Sequence, residues 1–253
     1  MDGDARLHAI WLASVDRMKD VVREFRITQD ELHAAGDYFN RLGVSGMSRS
    51  LIDVALAMTS VEATGGADTG TRPNLEGPYH APHPERGDGI LLDRDPGADA
   101  PRLVLEGVVR DAATGAAVPG ARLDFWQADS DGLYDRAGHH LRGIVATDGE
   151  GRYRIETVVP SDYAEHDHDP IGELFRAMGK HNTRAAHIHL KASVAGRVLL
   201  TTQIFMSSST FLDKDYVEGA VTDDLVAQLV PDGAGRFRAV FDVALAGVAE
   251  AVA

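Results

Sequence analysis

Between Leu7 and Phe25 the apolar positions fall at Leu7, Ile10/Trp11, Val15, Met18, Val21/Val22 and Phe25, the three-and-four spacing of an amphipathic helix. Thr28-Gln29-Asp30-Glu31 follows as a capping box, whose hydroxyl and carboxylate can satisfy two orphan amides, and predicts a second helix ending near Gly43. A third helix is expected from Ser48 to Ala63. Gly65-Gly66-Ala67-Asp68-Thr69-Gly70 is turn-rich, and beyond it the pattern changes from helical to alternating. The boundary is placed there, giving a helical region over 1–70 and a β-domain over 71–253. Short β-like runs then recur at Leu103 to Val109, Ala121 to Trp126, Arg152 to Val158, His187 to Val194, Val198 to Phe205 and Phe237 to Val243. Clusters such as Asp129-Ser130-Asp131-Gly132 and Asp148-Gly149-Glu150-Gly151 separate them. The expected fold is mainly β, an antiparallel β-sandwich behind N-terminal helices, with a helical turn or two between Pro170 and Gly179.

Composition narrows the function. The 253 residues are 44% apolar and 25% charged, as in ordinary globular chains, and no apolar run is long enough to span a bilayer. A net charge of −14 with no Lys/Arg run repels phosphate backbones, so nucleic acid is not an expected partner. The sequence has no Cys, which excludes disulfides, thiolate metal sites and thiol nucleophiles. Any metal must be held by N and O. The opening Met1-Asp2-Gly3-Asp4 is acidic where a secretory leader would be basic, which makes the cytoplasm the expected compartment.

Two kinds of residue could carry chemistry. His187-Ile188-His189 starts an apolar strand, and side chains two apart on a strand share a face, so the two imidazoles either grip one metal or are plain polar residues on an exposed face. Tyrosine is the other kind, because a phenolate is a hard anion suited to a hard trivalent ion. Tyr38 and Tyr153 fit helix and strand packing, whereas Tyr134 and Tyr163 follow polar turn residues in loops. His166-Asp167-His168-Asp169 offers donors for a second metal, but a polar run in a loop is more often simply solvated, and it is read so.

Taken in order, Trp126-Gln127-Ala128-Asp129-Ser130-Asp131-Gly132-Leu133-Tyr134, then Tyr163, then Gly179 through Arg184-Ala185-Ala186-His187-Ile188-His189, then Leu200-Thr201-Thr202-Gln203, resemble the signature series of the intradiol ring-cleavage dioxygenases. Arg26-Ile27-Thr28-Gln29-Asp30-Glu31 and Glu76-Gly77-Pro78-Tyr79 extend the resemblance toward the N-terminus and to the catechol and hydroxyquinol branch. The resemblance implies Fe(III) held by Tyr134, Tyr163, His187 and His189, with a hydroxide completing the set and Tyr163 the ligand released when a catechol enters. It implies that Arg184 lies over the substrate ring and that Gln203 assists beside it. A catechol-type diol is then opened by dioxygen between its two hydroxyl-bearing carbons to a muconate-type dicarboxylate, by a homodimer joined through the N-terminal helices.

The chain departs from that pattern in places that bear on substrate. The family often has prolines around the releasable tyrosine and just before the His-x-His, where this chain has Ser161-Asp162-Tyr163-Ala164-Glu165 and Ala185-Ala186. The stretch from Tyr134 to Leu141-Arg142-Gly143 is short. Trp126-Gln127-Ala128-Asp129 and Phe211-Leu212-Asp213-Lys214-Asp215 look closer to the hydroxyquinol branch, Leu200-Thr201-Thr202-Gln203 to the catechol branch. The competing reading is a non-catalytic β-sandwich that binds a metal or ligand, and it has no use for an arginine three residues before His187.

Overall fold

The computed structural model describes residues 4–64 and 70–252. The chain divides into two compact units, 1–48 and 49–253. The boundary expected at Gly65 to Gly70 falls almost wholly on 65–69, outside the described residues.

The first unit is helical. α1 (Ala5–Phe25) begins where the Asp4 carboxylate accepts the Leu7 amide at 3.0 Å and ends at Arg26 in the left-handed region. α2 (Gln29–Ser45) begins in the expected capping box, with the Thr28 hydroxyl taking the Glu31 amide and the Glu31 carboxylate taking the Thr28 amide. The apolar stripe of α1 is open: Leu7, Trp11, Met18 and Phe25 are 63%, 66%, 64% and 71% exposed.

The second unit begins at Arg49, one residue into α3 (Ser48–Thr64), and continues with β1 (Arg102–Asp111), β2 (Arg122–Gln127), β3 (Arg142–Ala146) and β4 (Arg152–Val158). The short β5 (Tyr163–Ala164), α4 (Pro170–Ala177) and short β6 (Thr183–Arg184) precede β7 (His187–Val194) and β8 (Arg197–Met206). β9 (Val226–Ala227), β10 (Val230–Pro231), β11 (Arg236–Val240), β12 (Val243–Leu245) and α5 (Val248–Val252) complete it. One sheet has the order β10-β11-β1-β12, with β4 also on β1; the other is β3-β2-β7-β8-β9; β5 and β6 pair alone. Leu103 and Leu105 of β1, Leu123 and Phe125 of β2, Ile155 of β4, Ile188 and Leu190 of β7 and Ile204 of β8 bury into one apolar cluster that both sheets share. No helix among the described residues is long and apolar enough to cross a membrane.

The structure corrects the sequence reading in three places. The sheets are mixed, because β1 runs parallel to both β11 and β12, and β8 runs parallel to β9. These strands arrive over long connections, which allow a parallel partner where a hairpin would not. The single strand expected over Phe237 to Val243 is two, broken where the Phe241 amide donates to the Glu106 carbonyl and the Asp242 carboxylate takes the Val108 amide. The run at His166 is more than a solvated loop: Asp169 caps α4 through the amides of Ile171 and Gly172, and His166 Nδ1 lies 2.6 Å from its second oxygen.

At that break the chain needs a residue without a Cβ. The Phe241 carbonyl points at Gly107 while also accepting the Tyr153 hydroxyl at 2.7 Å, and a Cβ on Gly107 would overlap that oxygen. Gly107→Ala is therefore expected to destabilise the protein by about 1–3 kcal/mol in denaturant unfolding. Gly149→Ala, where a Cβ meets nothing within 4 Å, serves as the control and is expected to change little.

Candidate active site

The site lies on the second sheet. Strand alternation sends Ile188, Leu190 and Ala192 into the apolar cluster and leaves His187 and His189 for the other face. Cross-strand register sets Trp126 of β2 and Gln203 of β8 on either side of His189. The turn after β2 is held by Asp129, whose carboxylate takes the amides of Asp131 and Leu133. Gly132 has φ +80, and a Cβ there would press on the Tyr163 Cβ at 2.7 Å, so a glycine is what lets the Tyr134 turn close onto β5.

Four donor atoms converge there. His187 Nε2 is 3.1 Å from His189 Nε2, which is 3.1 Å from the Tyr134 hydroxyl, which is 3.4 Å from the Tyr163 hydroxyl. His187 Nδ1–H donates to the Ala185 carbonyl at 2.6 Å, so its Nε2 presents a lone pair. His189 Nδ1 is buried with no hydrogen-bond partner. Burial pushes both imidazole pKa values well below the ordinary histidine value, with Arg184 adding to it for His187 and His187 adding to it for His189. Burial likewise raises the phenols of Tyr134 and Tyr163 above the tyrosine range. The cluster alone is neutral. Four donor atoms gathered this closely can be shared by one cation, and two imidazoles with two phenols are an N/O set suited to iron.

Arg184 faces Tyr163 across the β5–β6 pair. Its Nε donates to both oxygens of Asp215 at 2.9 and 3.1 Å, and its Nη2 donates to Gln203 Oε1 at 2.7 Å. Gln203 is itself held by its amide on the Leu75 carbonyl at 3.0 Å. Burial works against the guanidinium charge, but the Asp215 carboxylate together with Tyr163, Tyr216 and Glu165 outweighs it and holds the pKa above the usual arginine value. The missing prolines find their explanation beside it. The amides of Ala185 and Ala186 donate to Asp215 and Asp162, each at 2.8 Å, bonds a proline could not make. Asp162 also takes the Ser209 and Thr210 hydroxyls, pinning the loop before Tyr163.

Around this group lies a wall whose packing the sequence did not show, although Tyr79 and Trp126 stand in the resembling series. Tyr79 stacks on Tyr134 with ring centroids 4.2 Å apart, and Trp126 stacks on His189 at 4.7 Å with the rings 2° from parallel. Arg142 donates from Nε to the Asp135 carbonyl at 3.1 Å and from Nη1 to the Tyr79 carbonyl at 2.6 Å, and its guanidinium stands 5.8 Å from the Tyr134 ring centre. His80, His83 and Asp124 also bring potential metal donors within 4.8 Å of one another. Arg142 decides against that use. Its Nη1 donates to His83 Nε2 at 3.2 Å, which leaves the His83 proton on Nδ1, directed at Asp124. His80 Nε2–H donates to the other carboxylate oxygen at 3.1 Å. This set is a hydrogen-bonded brace beneath Trp126, and only the positions of its members 41 and 44 residues apart along the chain kept it from being read in the sequence.

Residues 75–247, which include every residue of the site, match the dioxygenase family model. The chain is 33% identical to a 6-chlorohydroxyquinol 1,2-dioxygenase of Cupriavidus pinatubonensis, over 96% of this chain and 91% of that one. The chain belongs to the intradiol ring-cleaving dioxygenases. A chlorocatechol 1,2-dioxygenase of Pseudomonas putida is 29% identical over 91% of this chain and 90% of that one. The crystal structure of a chlorocatechol 1,2-dioxygenase from Pseudomonas putida superposes with a TM-score of 0.86 at 28% identity, covering 96% of this chain and 100% of that one. The dioxygenase thus shares its architecture with these enzymes along nearly its whole length.

Arg142 braces the dioxygenase site from outside. Arg142→Met strips donors from two part-buried carbonyls and from His83 at once, and is expected to cost about 2–4 kcal/mol in thermal or denaturant unfolding. An unchanged melting curve would show that Arg142 is not a brace.

Proposed function

We propose that this dioxygenase cleaves a catechol-type diol with O2 at a single ferric ion held by Tyr134, Tyr163, His187 and His189, yielding a muconate-type dicarboxylate. The observation that carries the reading is the convergence of two imidazole Nε2 atoms and two phenol hydroxyls within 3.1 to 3.4 Å of their neighbours, with Arg184 and Gln203 beside them. Two phenolates are costly in a dry site unless a cation of high charge sits among them, and the buried phenols here are otherwise held protonated. Ferric iron bound there would supply the Lewis acidity that ionises and activates a vicinal diol toward dioxygen.

The chain's own groups do the rest. Tyr134 is fixed by Tyr79 on its ring face and by Arg142, so its hydroxyl has little freedom to leave. Tyr163 sits on a two-residue strand, and burial favours its neutral form; as the releasable phenol it takes a proton from the entering diol at Oη. Arg184 remains charged throughout and stands opposite Tyr163, where it stabilises negative charge that grows on the ring and its oxygens. Gln203 limits the rotation of that guanidinium. We further propose a sandwich arrangement of the two sheets, and a homodimer through the helical region, supported by the open apolar stripe of α1. Sedimentation at micromolar concentration is expected to give twice the chain mass.

Purified protein is expected to carry about one iron per chain and to be red-brown from phenolate-to-iron charge transfer. Tyr134→Phe should weaken both iron retention and colour. Arg184→Ala is expected to keep iron and colour while losing about 10²–10³ in single-turnover ring cleavage under air, with anaerobic substrate binding affected less. Colourless, active protein containing zinc would sink the metal assignment, and near-normal turnover in Arg184→Ala would remove the arginine from the chemistry.

A further inference from the structure

One carboxylate at the site is used by neither the donor cluster nor Arg184. Tyr163 and Glu165 are two residues apart on the extended segment that contains β5, so their side chains leave the backbone on the same face, and Tyr163 faces Arg184. Pairing continues to this residue: the Glu165 amide donates to the Asn182 carbonyl at 3.0 Å, and the Asn182 side chain donates back to the Glu165 carbonyl. The carboxylate is aimed by the Tyr216 hydroxyl, which donates to Oε2, and the Tyr79 phenol lies near the same group. Tyr79 in turn stacks on Tyr134. Tyr134, Tyr79, Glu165 and Tyr163 thus form one ring of neighbouring side chains.

Exposure shows which part of that ring meets an incoming molecule. Tyr163, Arg184, His187 and His189 are buried, while Tyr134, Tyr79, Glu165 and Tyr216 are half-buried. A diol reaching the donor cluster passes the second group. A carboxylate offers about four lone-pair directions and no donor, and one is taken by the Tyr216 phenol. The remainder can accept a hydrogen from a ring substituent, and the charge repels an anionic one.

Building on the diol-cleavage reading above, we infer that Glu165 is a specificity-determining residue that selects vicinal diols bearing a further hydrogen-bond donor, a third ring hydroxyl above all, and turns away rings bearing a carboxylate. A chlorine substituent gives Glu165 no hydrogen and gains nothing from it.

The test compares catechol, 1,2,4-trihydroxybenzene and 3,4-dihydroxybenzoate by kcat/KM under air and by equilibrium binding without oxygen, in the wild-type holoenzyme, Glu165→Leu and Glu165→Gln. Wild type is expected to favour the trihydroxybenzene over catechol about 10–100-fold, the scale of one hydrogen bond to a charged acceptor, and to reject the benzoate. Glu165→Leu should lose that ratio in both readouts. Glu165→Gln, which keeps an acceptor oxygen without the charge, should keep part of the ratio and admit the benzoate. A ratio unchanged in both variants, or a wild type that takes the benzoate as readily as catechol, would overturn this inference alone. A wild type that opens none of the three rings would bring down the diol-cleavage reading with it.

Discussion

Arg184 and Asp215 have side chains only 3% exposed, and a guanidinium so far from water persists only while a carboxylate faces it. Much of the site is arranged around that pair. Asp215 takes both the Arg184 Nε and the Ala185 amide, so it sets the side chain and the backbone that leads into β7. It also takes the Val217 amide, which ties the loop after β8 to the same point. With Arg184 fixed, its second nitrogen orients Gln203, and the β5–β6 pair holds Tyr163 opposite. Removing one carboxylate would leave a buried cation unpaired and free three segments at once.

The sheet beneath explains the rest of the arrangement. One face of β7 is committed to the shared apolar cluster, and the alternation of a strand then gives His187 and His189 no choice of side. Trp126 against His189 and Tyr79 against Tyr134 fill the space that would let those rings turn. Behind them the Arg142, His83, Asp124 and His80 chain satisfies its polar atoms internally. Such outer contacts cost little when a cation binds, because the donors are already oriented before it arrives.

The sequence displayed what is local. The helices of the first unit, the capping box at Thr28 and the placement of His187 and His189 on one face all follow from spacings of two to four residues. Tyr134 and Tyr163 drew attention as loop tyrosines beside polar turn residues, and the ordered series made them a set. What was hidden depends on contacts far apart in the chain. Asp215 lies 31 residues from Arg184, and Asp124 lies 41 residues from His83, so no spacing points from one to the other. The parallel pairing of β1 with β11 and β12 was hidden for the same reason, since consecutive strands without helices between them suggest hairpins. Glu165 read only as part of a missing proline pattern, because its partner Tyr216 lies 51 residues away.

The central claim is the position of one ion: among the four atoms of Tyr134, Tyr163, His187 and His189, and not at the His80, His83 and Asp124 brace. An anomalous difference map collected at the iron absorption edge from crystals of the purified protein separates them directly. The account requires a single peak among the two phenol oxygens and the two Nε2 atoms. A peak at Asp124 instead, or iron-containing crystals with no peak near Tyr134, would contradict it.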